Sequence, residues 1–148
     1  MPLRISRYLA RKRWTILSVV ILVPIGLYTK IYSGPAAQWV NNSLGGVLYV
    51  VFWSLVFCIL LPGIKTRKIA AAVFLVTCLL EIMQLWHPPF LETIRLTFIG
   101  ATLIGNSFSW LDLVHYMIGL SLSLLLLKYL GRLEEDKAER GSVKHKIS

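Results

Sequence analysis

A chain of 148 residues that is 56% hydrophobic, with a mean hydropathy of +0.67, is too apolar and too often broken by glycine and proline for an ordinary soluble domain. A formal net charge of +9 would suggest nucleic acid in a soluble protein, but here Lys and Arg stand at the edges of apolar runs, which points to anionic lipid and topology and argues against a nucleic-acid partner. Cys58 and Cys78 lie inside apolar runs, where thiols behave as small buried hydrophobes, and no CxxC, HExxH or Cys/His cluster calls for a metal or other cofactor.

Residues 1–13 form a basic head with Arg4, Arg7, Arg11, Lys12 and Arg13, followed by the apolar run from Trp14 to Thr29. A basic head before an apolar run also describes a cleavable signal peptide, with Ser33 to Ala37 as the cleavage region. The length of the run, and its ending in Tyr28, Lys30 and Tyr32, favour a first membrane span with an interfacial anchor. Pro24 is expected to kink this helix, since it has no N–H to give and crowds the carbonyl one turn earlier.

The polar stretch from Ser33 to Ser43 reads as a connection, and a second, uncharged span is predicted from about Leu44 to Leu61. Pro62-Gly63 ends it, and Lys65, Arg67 and Lys68 form a basic loop. The third span, from about Ile69 to Trp86, begins with small residues that admit a neighbouring helix and ends polar. Glu81 and Gln84, three apart, share a face, and Pro88-Pro89 stop the helix.

Between Pro89 and Trp110 the chain is too polar to span and too apolar for a free loop. Leu91, Ile94, Phe98 and Ala101 recur at helical spacing, which predicts one interfacial or re-entrant helix. The fourth span runs from Trp110 to Leu130, with Asp112, His115, Tyr116, Gly119 and Ser123 forming a stripe that should face the bundle. Residues 131–148 are charged and of mixed sign, and are read as a fraying helix end and then disorder.

The expected fold is therefore all-α: one polytopic membrane domain over residues 14–130, with four transmembrane helices and the intervening interfacial helix. Of the sixteen Lys and Arg residues, all but Lys30 and Arg95 belong to the head, the loop after the second span, or the last span's end and tail. Four spans put these three clusters on one side, which the positive-inside rule makes cytoplasmic, with both termini inside.

The other side receives Glu81, Gln84, Arg95, Asn106, Asp112 and His115. Ionisable groups in a membrane cost several kcal/mol unless paired or hydrated, so they mark a site by default. Where Glu81, Glu92 and Asp112 sit, the one nearby base is Arg95, which can pair with one carboxylate while touching a second. A purely structural network joining the third and fourth helices is the alternative. His115 reads more readily as a core histidine bonded to Asp112 or a carbonyl, Asn106-Ser107 as a turn, and Glu92–Arg95 as a surface pair.

Glu81-x-x-Gln84-Leu85, Ile94-Arg95-x-Thr97 and Gly105-x-x-Phe108-x-Trp110-x-Asp112-Leu113-x-x-Tyr116-x-x-Gly119 together resemble a family of small bacterial integral membrane proteins that is itself similar to the VanZ-like proteins. The resemblance implies a four-helix protein of the bacterial inner membrane, with Glu81, Gln84, Arg95 and Asp112 at the motif's polar positions. That family often has Gly-Asp at the start of the second helix, where this chain has Gly45-Gly46.

Three functions follow as expectations. In the first, a pocket binds the head group of a membrane lipid or amphiphile, with Arg95 on an anionic group and Glu81, Gln84 and Asp112 orienting it. In the second, the same residues hold a larger membrane complex of which the chain is an accessory subunit. The third is an intramembrane enzyme with Glu81 or Asp112 as general acid or base, for which the sequence supplies no nucleophile–base pair.

Overall fold

The computed structural model describes Tyr8, residues 12–104 and residues 108–147, with side chains as far as Glu134 and that of Asn42 excepted. The described residues form α1 (Arg13–Ile31), α2 (Ala37–Trp39), a π-helical turn (Val40–Leu44), α3 (Gly45–Leu60), α4 (Thr66–Met83), α5 (Pro89–Arg95), α6 (Phe98–Ile104) and α7 (Trp110–Ile147). The fold is all-helical. α1 and the Trp110–Glu134 part of α7 are long and apolar enough to cross a membrane; α3 is apolar but has only 16 residues. Their outer faces are sleeves of exposed Leu, Ile and Val, such as Val20, Ile21, Leu122 and Leu125, which monomers in water do not leave open.

Two sets of contacts fix the directions of the four long helices. At one end, the Tyr8 hydroxyl donates to the Ile59 carbonyl at 2.8 Å, and Lys12 pairs with Glu134 at 2.9 Å. Glu134 also accepts the Thr15 hydroxyl at 2.8 Å, so an acid from α7 closes the first turn of α1, where free N–H groups need an acceptor. At the other end, Gly45 lies against Lys30, Gly46 against Tyr116, and Glu81 bonds to Tyr116. α1 and α4 thus run one way, and α3 and α7 the other.

α3 and α7 form the central pair. A Cβ built on Gly119 would stand 2.9 Å from both the Val47 carbonyl oxygen and the Val50 Cβ, so only glycine lets the two backbones approach this closely. Tyr116, Gly119 and Ser123 are buried, as the stripe predicts, and the line continues through Leu127 and Leu130. With Val50, Val51, Leu55, Cys58, Ile69 and Val73 they make the core. Cys58 and Cys78 are unbridged.

Three element boundaries differ from the sequence reading. The second long helix begins at Ala37, not Leu44, and passes through the π-helical turn before Gly45. The wider turn lets the helix carry Asn41-Asn42-Ser43, and Asn41 donates to the Tyr32 carbonyl at 3.2 Å. The single helix expected after Pro89 is two. The Thr97 hydroxyl donates to the Ile94 carbonyl at 2.7 Å and accepts the Gly100 N–H at 3.0 Å, ending α5 and capping α6. Finally, α7 continues to Ile147 where disorder is expected from charge; the Glu, Lys, Arg and Ala of residues 132–140 are good helix formers.

Candidate functional site

Glu81 occupies the last turn of α4 and is only 1% exposed. The Ser109 N–H donates to Oε1 at 2.8 Å, and the Tyr116 hydroxyl donates to Oε2 at 2.6 Å. Gln84 Nε2 donates to Oε2 at 3.2 Å and to the Ile104 carbonyl at 2.7 Å. All three partners of the carboxylate are donors, the set that suits its ionised form, and the short O–H···O contact is of the charge-assisted kind. Gly46 makes this possible, since a Cβ there would meet the Tyr116 ring at 2.9 Å and push the hydroxyl away.

Beside Glu81 lies a cavity of about 310 Å³ bounded by α1, α3, α4, α6 and α7. Its polar lining includes Lys30, Thr77, Glu81, Gln84, Thr102 and Asp112. α6 covers one side. The carbonyls in the last turn of a helix lack intrahelical partners, and here the Tyr49 hydroxyl donates to that of Leu103 at 3.1 Å while Gln84 serves that of Ile104.

Lys30 enters this cavity although sequence reasoning assigns it only an interfacial role. Its Nζ lies beside Gly45, 3.8 Å from where a Cβ on that glycine would stand. The available signal was its position as one of two basic residues outside the three clusters.

Arg95, the other such residue, is not in the cavity. It is 4% exposed and donates to the Met83 carbonyl at 3.1 Å, the Trp86 carbonyl at 3.2 Å and Glu92 Oε1 at 2.7 Å. The expected Glu81–Arg95–Asp112 cluster is therefore not formed; Pro88-Pro89 turn α5 back so that the guanidinium caps the carbonyl end of α4. Asp112 lines the cavity, and its Oδ1 lies 3.9 Å from His115 Nδ1, too far for a hydrogen bond. His115 stands outside the lining, and Asn106 lies outside the described residues. Gln84 and Glu81 meet as their spacing predicts.

Glu92 joins Arg95 to His87, whose Nδ1 is 2.8 Å from the same oxygen. The His87 hydrogen bond, and then that of Arg95, hold the Glu92 carboxyl below the ordinary glutamate value of 4.5. A group with a lowered folded pKa adds stability that is whole above its unfolded value and is lost as pH falls through the folded one. Amide-exchange protection of α5 should thus decline below pH 4.5 in the wild type and stay flat in Glu92→Gln, the two differing modestly above it. Parallel profiles through the acid range would count against the contact.

A second, apolar groove of about 540 Å³ runs between α3 and α4, with Trp53, Phe57, Val73 and Val76 on its walls and Lys68 at its far end. Tyr49, Thr77 and Leu80 line both the groove and the polar cavity.

Residues 36–120 match the model of a family described as Protein of unknown function (DUF2809). No solved structure matches the chain. The match takes in more than half of the 148 residues, including α3 to α6 and the start of α7, so the chain belongs to that family.

Proposed function

We propose that this is a four-span protein of the bacterial inner membrane that binds an envelope lipid or similar amphiphile, its head group in the polar cavity and its apolar chain along the α3–α4 groove. The observation that carries this reading is the shared wall: Tyr49, Thr77 and Leu80 border a polar space on one side and an apolar one on the other. A cavity of about 310 Å³ is at the small end of ligand pockets, about 300–1,000 Å³, which suits a head group but not a whole lipid. Lys30, Asp112 and the spare lone pair of Glu81 would orient it, replacing the role that the sequence assigns to Arg95. A relationship to VanZ-like proteins, read from the order of Glu81, Gln84, Arg95 and Asp112, belongs to the same proposal.

In this reading α4 spans with α1, α3 and α7, while α5 and α6, about 10 Å long each, lie in the interface or re-enter. Exposed Trp39, Trp86 and Trp110 stand toward the cavity end, and Lys65, Arg67 and Arg132 toward the other, which supports cytoplasmic termini and an outward-facing site.

Lipid retained by gently extracted protein, measured by native mass spectrometry, should fall about tenfold in the double variant Lys30→Met/Asp112→Asn. In a background without Cys58 and Cys78, Thr93→Cys should react with an impermeant thiol reagent in intact cells, and Lys65→Cys and Arg132→Cys should not. Equal lipid in wild type and double variant would defeat the binding proposal. Labelling of Arg132→Cys but not Thr93→Cys would defeat the topology.

A further inference from the structure

From the charges around the cavity we infer that its ligand has a zwitterionic head group, an anionic phosphate paired with a primary ammonium; this rests on the amphiphile-binding reading above. Two anions and one cation line the space: Glu81, Asp112 and Lys30. Glu81 is already held by three donors. The other two are not. Among the described residues neither the Asp112 carboxylate nor the Lys30 ammonium makes a hydrogen bond, and His115 Nδ1 lies 3.9 Å from Asp112 Oδ1, beyond hydrogen-bond reach. Among the described residues Lys30 and Asp112 form no ion pair with each other. An anion and a cation are thus held apart over an open space, where each keeps its full capacity for a ligand.

The balance of charge then selects among head groups. A purely anionic one would gain Lys30 but add a third negative charge against a single positive one. Arg95 cannot correct this, because its guanidinium is committed to the Met83 and Trp86 carbonyls and to Glu92. A purely cationic head group would offset the lining's net charge through Asp112 but would leave Lys30 without a counter-charge. A head group with both charges satisfies both walls and leaves no net addition.

The ammonium should carry N–H donors. Asp112 offers two oxygens that have no hydrogen-bond partner among the described residues, and Glu81, with about four lone-pair positions and three donors, has room for one more. A quaternary ammonium has no hydrogen to give them and is recognised instead by a cage of aromatic faces. The lining supplies only Tyr49 and Tyr116, and both hydroxyls are already used as donors, to Leu103 and Glu81.

The test uses the full chain in detergent and four lipids with identical acyl chains: phosphoethanolamine, phosphocholine and phosphoglycerol head groups, and diacylglycerol with none. Native mass spectrometry titrations should give about tenfold tighter binding of the phosphoethanolamine lipid than of the other three, the scale of one charge-assisted hydrogen bond. Asp112→Asn should erase its advantage over phosphocholine, and Lys30→Met its advantage over diacylglycerol. Among the described residues neither side chain makes a hydrogen bond, and melting curves check that both variants are folded. If they are not, the wild-type panel decides alone. Saturable binding of all four lipids alike, or tighter phosphoglycerol binding, would overturn the zwitterion inference and leave the amphiphile reading standing. No saturable binding of any would overturn both. Chain-free glycerophosphoethanolamine should compete at least a hundredfold more weakly than the lipid; equal competition would make the ligand a free solute and refute the lipid assignment.

Discussion

Glu81→Ala is expected to lower the detergent melting temperature by roughly 10 °C, with folded protein falling in parallel. The change removes the acceptor that the Ser109 N–H and the Tyr116 hydroxyl each have among the described residues, together with one of the two that Gln84 has there. A buried donor left without a partner costs about 1–3 kcal/mol. Three would approach several kcal/mol, but the neighbouring cavity of about 310 Å³ can admit water that rehydrates some of them, so about 3 kcal/mol is the expected net loss. Glu81→Gln keeps the volume and one oxygen while turning the other acceptor into a donor, and should cost less than alanine. Tyr116→Phe leaves the carboxylate two donors and should cost least, about 1 kcal/mol. Melting of Glu81→Ala within about 3 °C of wild type would show that the network does not support the fold.

This gives Glu81 a share of the structural role that the sequence reading holds as its alternative. Its three donors come from residues 84, 109 and 116, and only the first is near enough in sequence to be read from helical spacing. What repeats along one helix was legible: the face shared by Glu81 and Gln84, and the stripe of Tyr116, Gly119 and Ser123. The same holds for the punctuation at Pro62-Gly63 and Pro88-Pro89, because proline and glycine act on the backbone locally.

What was not legible depends on contacts distant in sequence or on a side chain choosing between two partners. Lys30 reaches the cavity from a helix more than fifty residues before Glu81, and only the antiparallel packing of α1 and α3 brings it there. The division between α5 and α6 turns on the Thr97 hydroxyl bonding both ways, against an apolar periodicity that runs straight across the break. Capping outweighs periodicity there because Gly100 has no side chain, and a Cβ at that position would overlap the Ile94 carbonyl. A sequence pattern shows which face is apolar, but not which of two nearby acceptors a buried hydroxyl or guanidinium will take.

Arg95 is the clearest case and carries the second large effect. Read as a ligand group, it could be replaced by methionine with melting unchanged and lipid binding lost. In the structure its guanidinium is 4% exposed and ties Met83 and Trp86, at the carbonyl end of α4, to Glu92 at the start of α5. Arg95→Met should therefore lower the melting temperature by roughly 10 °C, since hydrogen bonds to a charged group contribute about 1.5–3 kcal/mol each and part of the loss is recovered by hydration of exposed carbonyls. Arg95→Lys should recover little, because one ammonium cannot present a planar fork to two carbonyls and a carboxylate at once. Glu92→Gln should cost much less, since that side chain is about half exposed and its ion pair is screened by solvent. Hydrogen exchange locates the damage: amides from Glu81 to Arg95 should lose protection first, while the α3–α7 contact at Gly119 keeps its own. The lipid preference of whatever folded protein remains should be that of the wild type. Arg95→Met that melts within about 3 °C of wild type while losing bound lipid would return the guanidinium to the ligand and overturn the capping role.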